Sequence, residues 1–349
     1  MQRKKIIFAV AGEGIGHATR ASIIINYLTK KKKCQVKILT YHLGYWHLSK
    51  KFKDVVKIFG LRFAHKNGHA TYTGTVLKNI KKTPDAVQSF LKIKKIVKEF
   101  QPDLIITDLE PFTSLVANIY NIPLISIDNQ HRITQGEIEY EKKWLLNYLI
   151  NKIGVSAVAI NADAYIITSF FKFKKKAPNV YIVPPILDEN ILRATPGNKD
   201  YILVYNSTKN KNLQKALCAI KDTRFIVYGY NTEKKNNHCQ FKRRSHKRFL
   251  NDLINARAVI GTSGLSLMSE AIHLRKPFLA LPIKKRIEQL TNAYYLKKLK
   301  FGDYSEDITV EDIEKFINKI DFYRQNLKKR QRTDNSKLYK LLDTLLEKL

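Results

Sequence analysis

The chain has 349 residues, of which 44% are hydrophobic and 27% are charged, so it is long enough for two ordinary domains and does not have the composition of a disordered protein. Its 63 basic and 30 acidic residues give a formal net charge of +33. Three explanations compete for this charge: a nucleic-acid partner, an anionic membrane surface, or a base composition that favours lysine codons. Arginine, the better residue for reading bases, is the scarcer of the two basic residues, which disfavours a nucleic-acid partner.

The three cysteines are sparse and have no metal-ligand spacing, which is typical of a protein in a reducing compartment and predicts a cytoplasmic location. The apolar run at 6–11 is too short for a signal peptide or a membrane span. A longer apolar stretch, 153–171, is interrupted by Asn161 and Asp163, and its second part is predicted to be a buried strand rather than a membrane helix.

The first half of the chain alternates between strand and helix patterns. Short runs of apolar and β-branched residues predict strands at 5–10, 35–41, 55–59, 104–107, 124–127 and 164–169. Helical periodicity follows several of them, at 21–28, 85–100 and 112–120. Apolar strands that alternate with helices are typical of a parallel sheet with both faces covered.

Proline, glycine and asparagine cluster at 184–198, and the alternation then starts again. The second set of strands is predicted at 201–205, 224–228, 258–261 and 277–281, and the helices at 213–220, 248–255 and 265–273. We therefore predict an α/β protein with two facing Rossmann-like, doubly wound domains. Their predicted limits are 1–185 and 198–320, followed by a helical tail at 321–349. Ligands bind at the carboxyl ends of such strands, so a cleft between the domains is the expected site.

The turn after the first strand contains Gly12, Gly14 and Gly16, followed at once by His17. The dinucleotide fingerprint requires a different glycine spacing and an acid after the second strand, so an NAD site is disfavoured. Glycines here let the backbone approach another molecule, and the helix start offers free N–H groups. His17 has two interpretations: a residue that caps or packs the helix start, or a general base.

This strand, glycine-rich turn and Gly16-His17 pair resemble the N-terminus of inverting glycosyltransferases of the GT-B fold. These include the peptidoglycan-precursor N-acetylglucosaminyltransferases, the UDP-glycosyltransferases of small acceptors, and a subgroup of archaeal and bacterial glycosyltransferases. The resemblance implies that His17 deprotonates an acceptor hydroxyl and that an acid orients it. Asp108, at the end of a predicted strand and before a helix, matches that acid, and Glu110 is the alternative.

A polar run, Asp128-Asn129-Gln130-His131, follows the next predicted strand. Such a run at the carboxyl edge of a sheet is interpreted as acceptor-binding, against the alternative of a solvent-exposed polar turn.

The segment that begins at Gly261 places small residues between a strand and a helix. Thr262, Ser263 and Gly264 would bring backbone N–H groups and a helix N-terminus to an anion such as a diphosphate. Glu270, further along that helix, would bind both ribose hydroxyls, or else pair with a neighbouring lysine. The arrangement resembles the nucleotide-sugar signature of the same glycosyltransferases. It departs from it at Thr262, where the small-acceptor enzymes carry a histidine, and this brings the chain nearer the peptidoglycan type.

By the same resemblance, Glu288 and Gln289 contact the sugar hydroxyls. Four further residues are predicted to contact the donor from the turns after the first strand of each domain: Gly14, Gly16, Asn206 and Ser207.

The predicted function is inverting, metal-independent transfer of a sugar from a nucleotide sugar, expected to be a UDP sugar, with no further cofactor. The acceptor stays open among lipid-linked, glycan and nucleic-acid compounds, and a peripheral contact with anionic membrane at the inner face is expected. Two other functions stay open: a nucleotide-sugar epimerase and a nucleic-acid or polyanion-binding protein.

Overall fold

A computed structural model describes residues 3–60, 64–66, 69–71, 83–206, 210–236, 238–243 and 245–349, with side chains undescribed at 64–66, 69–71 and 211. The chain divides into two compact units: Met1–Ile186 together with Asp334–Leu349, and Leu187–Thr333. Each unit contains a seven-stranded sheet with helices, so the predicted α/β class with two Rossmann-like domains is confirmed.

The main sheet of unit 1 has the strand order β11-β9-β7-β6-β1-β2-β3, and every pair in it is parallel. Two short pairs, β4 with β5 and β8 with β10, lie outside it. The strands are β1 (Lys5–Val10), β2 (Gln35–Thr40), β3 (Val55–Lys57), β4 (Ala64–Lys66), β5 (His69–Thr71), β6 (Leu104–Asp108), β7 (Leu124–Asp128), β8 (Gly136–Glu137), β9 (Ala164–Thr168), β10 (Lys174–Lys175) and β11 (Val180–Val183). From β1 the chain winds one way through β2 and β3, and from β6 the other way, so the winding switches between β1 and β6.

The first strand shows why this sheet is covered on both faces. Ile6, Phe8 and Val10 belong to the core on one face, and Ile7 and Ala9 to the core on the other. Successive side chains of a strand point to opposite faces, so an unbroken apolar run can be fully buried only with helices on both sides.

Among the described residues, six helices of unit 1 precede its boundary with unit 2. They are α1 (Ile15–Asn26), α2 (His42–Leu48), α3 (Thr83–Phe100), α4 (Pro111–Ile119), α5 (Arg132–Gln135) and α6 (Leu145–Ser156). A π-helical turn, Tyr27–Lys31, extends α1, and a 3-10 turn, Lys142–Trp144, precedes α6. None of the helices among the described residues has the length and apolarity that crossing a bilayer requires.

The sheet of unit 2 has the order β14-β15-β13-β12-β16-β17-β18, with only β14 and β15 antiparallel among its pairs in the described residues. Its strands are β12 (Lys199–Tyr205), β13 (Phe225–Tyr228), β14 (Lys234–Asn236), β15 (Cys239–Phe241), β16 (Ala256–Gly261), β17 (Phe278–Ala280) and β18 (Gly302–Tyr304). Its helices are α7 (Glu189–Leu192), α8 (Lys211–Ala219), α9 (His246–Asn255), α10 (Leu265–His273), α11 (Ile287–Lys298), α12 (Val310–Asn318) and α13 (Ile320–Lys328). The winding switches between β12 and β16, whose last residues, Tyr205 and Gly261, pair in register.

The tail predicted at 321–349 is divided between the two units. Helix α13 lies in unit 2, whereas the last helix, α14 (Ser336–Lys348), belongs to unit 1. Three leucines of α14 are buried in the same core as α1: Leu338, Leu342 and Leu345. Their spacing places them on one helix face, and Tyr339 stacks on Tyr27 with ring centroids 4.0 Å apart. The apolar stripe therefore draws this helix onto unit 1.

Candidate active site

The turn between β1 and α1 combines a tightly packed glycine with an open one. A Cβ at Gly12 would lie 1.8 Å from the carbonyl oxygen of Tyr41, so no other residue fits there. Gly14 is the N-cap of α1, and a Cβ at that position would meet no atom within 4 Å. The helix therefore begins beside open space, where a ligand could reach its N–H groups. The donor contacts predicted for Gly14 and Gly16 stay predictions.

His17 lies in the first turn of α1 and is hydrogen bonded to an acid at the end of β6. Its Nδ1 is 2.8 Å from Oδ1 of Asp108, which is only 1% exposed, whereas the imidazole is 19% exposed. Val10 pairs with Asp108 in the sheet, so the two groups flank the point where the winding of unit 1 switches. Of the two candidate partners for His17, the geometry favours Asp108.

Arg20, one helical turn after His17, holds the other side of the same carboxylate. Its Nε donates to Oδ2 of Asp108 at 3.0 Å, and its Nη2 donates to Oδ1 at 2.6 Å. A guanidinium bound through two nitrogens fixes both the position and the rotation of a carboxylate. Asp108 is therefore held in one orientation by a buried arginine.

The contacts of His17 also bear on which imidazole nitrogen carries the proton. Arg20 Nη2 lies 3.1 Å from Nδ1, but a guanidinium nitrogen can only donate. With a proton on Nδ1, the imidazole donates to the carboxylate of Asp108, which is the charge-assisted and shorter of the two contacts. In this tautomer Nε2 keeps its lone pair, and the structure gives Nε2 no hydrogen bond to any described residue.

Electrostatics keep Asp108 ionised. Burial by itself would raise the pKa of this carboxyl, but the charge of Arg20, then the electrostatic interaction with His17 and the hydrogen bonds from both, outweigh burial and hold the pKa below its usual value. An ionised carboxylate at Nδ1 stabilises the imidazolium that forms when Nε2 accepts a proton. The three side chains therefore have the arrangement of a general base with an orienting acid.

The side chain of Glu110 caps the helix that follows it. It is the N-cap of α4, and its two carboxylate oxygens accept from the backbone N–H groups of Phe112 at 3.1 Å and Thr113 at 2.7 Å. The side chain is fully buried, and burial raises its pKa against the effect of these hydrogen bonds. This capping role disfavours Glu110 as the acid that orients His17.

Asp128 and His131 form a buried pair instead of an open binding surface. Nδ1 of His131 lies 2.5 Å from Oδ2 of Asp128, and its Nε2 lies 3.0 Å from the carbonyl oxygen of Val158. Both of these partners only accept, so both imidazole nitrogens donate and the ring is the protonated form. Burial alone would lower the pKa of His131, but the charge of Asp128 and these hydrogen bonds raise it.

The other oxygen of Asp128 closes the turn after β7. It accepts from the backbone N–H groups of Gln130 at 2.6 Å and His131 at 2.8 Å. The pKa of Asp128 is lowered, because His131 and these donors outweigh the effect of burial. Asp128 and His131 could contact an acceptor only by giving up these bonds. Asn129 is also buried, so Gln130, which is half-buried, is the most accessible of the four predicted acceptor residues.

The predicted diphosphate site of unit 2 is the turn between β16 and α10. Gly264 is the N-cap of α10 with no side-chain cap, and a Cβ there would meet no atom within 4 Å. Ser263 is fully buried; its Oγ has no hydrogen-bond partner in the described part of the chain, and its carbonyl oxygen accepts from Nδ2 of Asn292 at 2.8 Å. Thr262 is half-buried. The uncapped start of a nine-residue helix, facing open space, suits an anion.

The acids predicted to bind the donor lie on the two helices that follow β16 and β17. Glu270 is half-buried on α10, and Glu288 is half-buried in the first turn of α11. Gln289 is buried, and its Oε1 accepts from the backbone N–H of Ile283 at 2.9 Å, which fixes the loop between β17 and α11. Gln289 therefore supports this loop with its side-chain oxygen, and the sugar contact predicted for Gln289 stays a prediction.

Asn292 joins the two predicted donor segments. Besides the carbonyl oxygen of Ser263, its Nδ2 lies 3.4 Å from Oε1 of Glu288, one turn earlier on α11. Gly261 and Ala280 pair in register, so both loops leave the sheet at the same edge. One buried amide thus fixes the turn before α10 relative to the start of α11.

Asn206 follows β12, next to the end of β16. It is buried, and its Nδ2 donates to the hydroxyl of Tyr230 at 3.0 Å. The carbonyl of Asn206 also requires glycine at the neighbouring turn, because a Cβ at Gly229 would lie 2.0 Å from it. Asn206 therefore shapes this edge of the sheet. Ser207, also predicted to bind the donor, lies outside the described residues.

No group of three or more histidine, cysteine, aspartate or glutamate side chains within the described ranges could hold a metal ion.

The sequence from residue 4 to residue 321 matches the family model described as glycosyl transferase family 1. The chain belongs to this family. A search of curated proteins gave no match. The predicted resemblance to GT-B glycosyltransferases is thus confirmed at the level of the family.

Solved structures of other glycosyltransferases share the fold of this one over the full length of both chains. The calicheamicin glycosyltransferase CalG4 is 14% identical with a TM-score of 0.70, and covers 100% of each chain. UGT2 of Phytolacca americana, solved with UDP-2-fluoro-glucose and pterostilbene, has the same identity, coverage and TM-score. MurG of Acinetobacter baumannii is 14% identical with a TM-score of 0.63 and covers 100% of each chain. At these identities the similarity establishes the fold.

Two residues of this glycosyltransferase site were not predicted from the sequence. Arg20 lies three positions after His17, a spacing that places both side chains on one helix face, and a buried arginine there requires an acid. Asn292 lies four positions after Glu288 on α11, which is the corresponding signal. Neither spacing by itself distinguishes such residues from ordinary surface polar residues.

Proposed function

We propose that this glycosyltransferase transfers a sugar from a UDP sugar to an acceptor hydroxyl with inversion, and that His17 is the general base. The observation that carries the proposal is the hydrogen bond between Nδ1 of His17 and the buried carboxylate of Asp108, which leaves the lone pair of Nε2 available. The acceptor belongs to one of three classes: a lipid-linked compound, a glycan or a nucleic acid.

In the proposed reaction, Nε2 of His17 removes the proton of the acceptor hydroxyl while the acceptor oxygen attacks the anomeric carbon. The bond from that carbon to the diphosphate oxygen breaks, and the nucleotide leaves from the opposite face of the sugar. Asp108 stabilises the imidazolium as it forms. Arg20 is a positioning residue, because it acts on Asp108 and needs no contact with the substrate.

The proposed donor site uses the start of α10 for the leaving diphosphate. Backbone N–H groups at a helix N-terminus are fixed before the reaction, so they stabilise developing negative charge without reorganising. The open space at Gly264 and the uncapped helix support this role. In the proposal these groups, rather than a metal ion, compensate the charge of the diphosphate. Glu270 is proposed to bind the ribose.

The test begins with a panel of nucleotide sugars. A donor that binds the folded protein raises its unfolding temperature. A free donor concentration of about a hundred times the dissociation constant adds ~2.7 kcal/mol to the free energy of unfolding. The donor so identified is incubated with lipid, glycan and nucleic-acid fractions, and the anomeric configuration of the product is determined by NMR. We expect an α-linked UDP sugar to give a β-linked product.

A product with the donor's own configuration would refute inversion and the direct role of His17. A changed nucleotide sugar without an added acceptor would identify the epimerase instead. Binding to DNA that falls steeply with salt, with no stabilisation by any nucleotide sugar, would identify the polyanion-binding protein.

A further inference from the structure

Helix α6 of unit 1 presents an apolar face to solvent. Leu145, Leu149 and Ile153 follow one another at intervals of four residues, and Leu146 lies beside them. Leu146 and Ile153 are 70% and 74% exposed, values expected of polar side chains on such a helix. Its opposite face packs inward through residues such as Tyr148 and Val155. The helix is thus apolar on both sides, whereas a surface helix normally has a polar face toward the solvent.

This face continues through the loop after α6 onto α4. The backbone N–H of Ala159 donates to Oγ of Ser114 on α4 at 3.2 Å, and Nδ2 of Asn118 donates to the carbonyl oxygen of Ile160 at 2.8 Å. Ile160 is about half exposed, and so are Leu115 and Ile119. The loop therefore bridges two helices that both expose apolar side chains.

Helix α3 extends the surface on the other side of α4. Nζ of Lys94 lies 6.0 Å from the ring centre of Tyr120, which follows α4 directly. Val87 and Leu91, one turn apart on α3, are each more than half exposed. Together, the exposed apolar residues of α3, α4, α6 and the 157–161 loop form what we call the apolar surface of unit 1. Exposed apolar side chains that are grouped on neighbouring elements in this way are typical of a contact site.

Lysines accompany this surface and acids are scarce on it. Helix α6 and the turn before it carry no acid but three lysines: Lys142, Lys143 and Lys152. Lys143 is paired with Glu141, the residue before the turn, at 2.9 Å. Helix α4 has no charged residue, and α3 carries only two acids: Asp85 and Glu99. Exposed lysines on α3 are Lys92, Lys95 and Lys98. The partner therefore combines apolar material with negative charge.

We propose that the apolar surface of unit 1 binds an anionic lipid bilayer, with α6 lying in the interface between headgroups and acyl chains. An amphipathic helix with lysines at its rim binds a bilayer in this manner, because the apolar side chains enter the acyl region while the ammonium groups stay among the phosphates. The exposed apolar residues lie on three helices and on the loop that is hydrogen bonded to α4. This inference goes beyond the transfer reaction and does not depend on it.

The test is flotation of the full chain with vesicles of phosphatidylcholine alone and of phosphatidylcholine mixed with phosphatidylglycerol. We expect binding to the mixed vesicles, with weak binding to the neutral ones. The double variant Leu146→Glu/Ile153→Glu should lower the partition constant on the order of a hundredfold, because the protein loses two apolar side chains that enter the acyl region of the bilayer. Lys142→Gln should lower it about fivefold.

Two matched variants in unit 2 control for general effects of charge. Phe322→Glu changes an apolar side chain that is 48% exposed on α13, and Lys221→Gln removes an exposed lysine. Both should bind the mixed vesicles as the unchanged protein does. Circular dichroism checks that every variant is folded.

Three results would overturn the proposal. The first is equal binding to neutral and mixed vesicles, or none to either. The second is equal loss in the unit 1 and unit 2 variants, which would mean that the net charge alone causes binding. The third is a dimer in light scattering that Ile153→Glu dissociates while vesicle binding is unchanged, which would assign the surface to a second copy of the chain.

Discussion

Replacing Asp108 by asparagine tests the site at the residue that joins its two basic partners. The carboxylate accepts three charge-assisted bonds: from Arg20 at 3.0 and 2.6 Å and from His17 at 2.8 Å. Asparagine has only one side-chain oxygen, so its NH₂ group must face one of these donors instead of accepting from it. The buried guanidinium of Arg20 also loses its counter-charge. Breaking a buried ion pair in this way costs about 3–5 kcal/mol. Asp108→Asn should therefore destabilise unit 1 by about that amount.

The same substitution should remove a pH dependence. The pKa of Asp108 is lowered in the folded state, so its contribution to stability is present above the unfolded-state pKa of ~3.9 and is lost as the pH falls through the folded-state pKa. The difference in unfolding free energy between the unchanged protein and Asp108→Asn should therefore be largest near neutral pH. It should shrink as the pH falls below about 4.

Tryptophan fluorescence during urea unfolding measures the relevant unit. The chain has two tryptophans, Trp46 and Trp144, and both belong to unit 1, so unit 2 contributes no tryptophan signal. A difference below ~1 kcal/mol at neutral pH, or a difference that does not change on acidification, would refute the assignment of Asp108 as an ionised, paired carboxylate. Transfer by the variant should fall by about 10²- to 10⁴-fold, since the imidazole loses its orienting acid.

Three further substitutions separate the proposed roles. His17→Ala should reduce turnover by about 10²- to 10⁴-fold in a transfer assay and leave donor affinity in calorimetry nearly unchanged; transfer within a few-fold of the unchanged protein would exclude His17 as the base. Glu270→Ala should weaken donor binding by about 1.5–3 kcal/mol, and unchanged affinity in a folded variant would remove the ribose assignment. Glu110→Ala should lower the stability of unit 1 by about 0.5–2 kcal/mol through loss of the α4 cap, as measured by tryptophan fluorescence, and no loss would contradict the capping role.

The sequence was sufficient to predict the fold class and the position of His17 in the turn after the first strand. The run at Lys5–Val10 is apolar without interruption, which in a strand requires cover on both faces, and the structure shows both cores. Glycines directly before His17 fix a strand-to-helix turn, so the histidine had to lie at the carboxyl edge of the sheet. These features depend on residues close together in the chain, and local pattern is sufficient to determine them.

The partners of each polar side chain depended on contacts between distant segments. Asp108 and Glu110 are both carboxylates and lie two residues apart in the sequence. In the structure, Glu110 caps the start of α4, whereas Asp108 binds His17 and Arg20, about 90 positions earlier. The run at 128–131 was interpreted as acceptor-binding, but in the structure the side chains of Asp128 and His131 form a buried ion pair with each other.

The packing position of the final helix, α14, likewise could not be predicted from the sequence. Its leucines predict a buried face but not which core receives it, because the stripe on α14 would fit any apolar surface. The hydroxyl of Tyr27 donates to Asp343 at 2.7 Å, and this contact, together with the stack on Tyr339, ties the helix to unit 1. Periodicity determines that one face of the helix is buried, whereas only the packed structure determines which core covers that face.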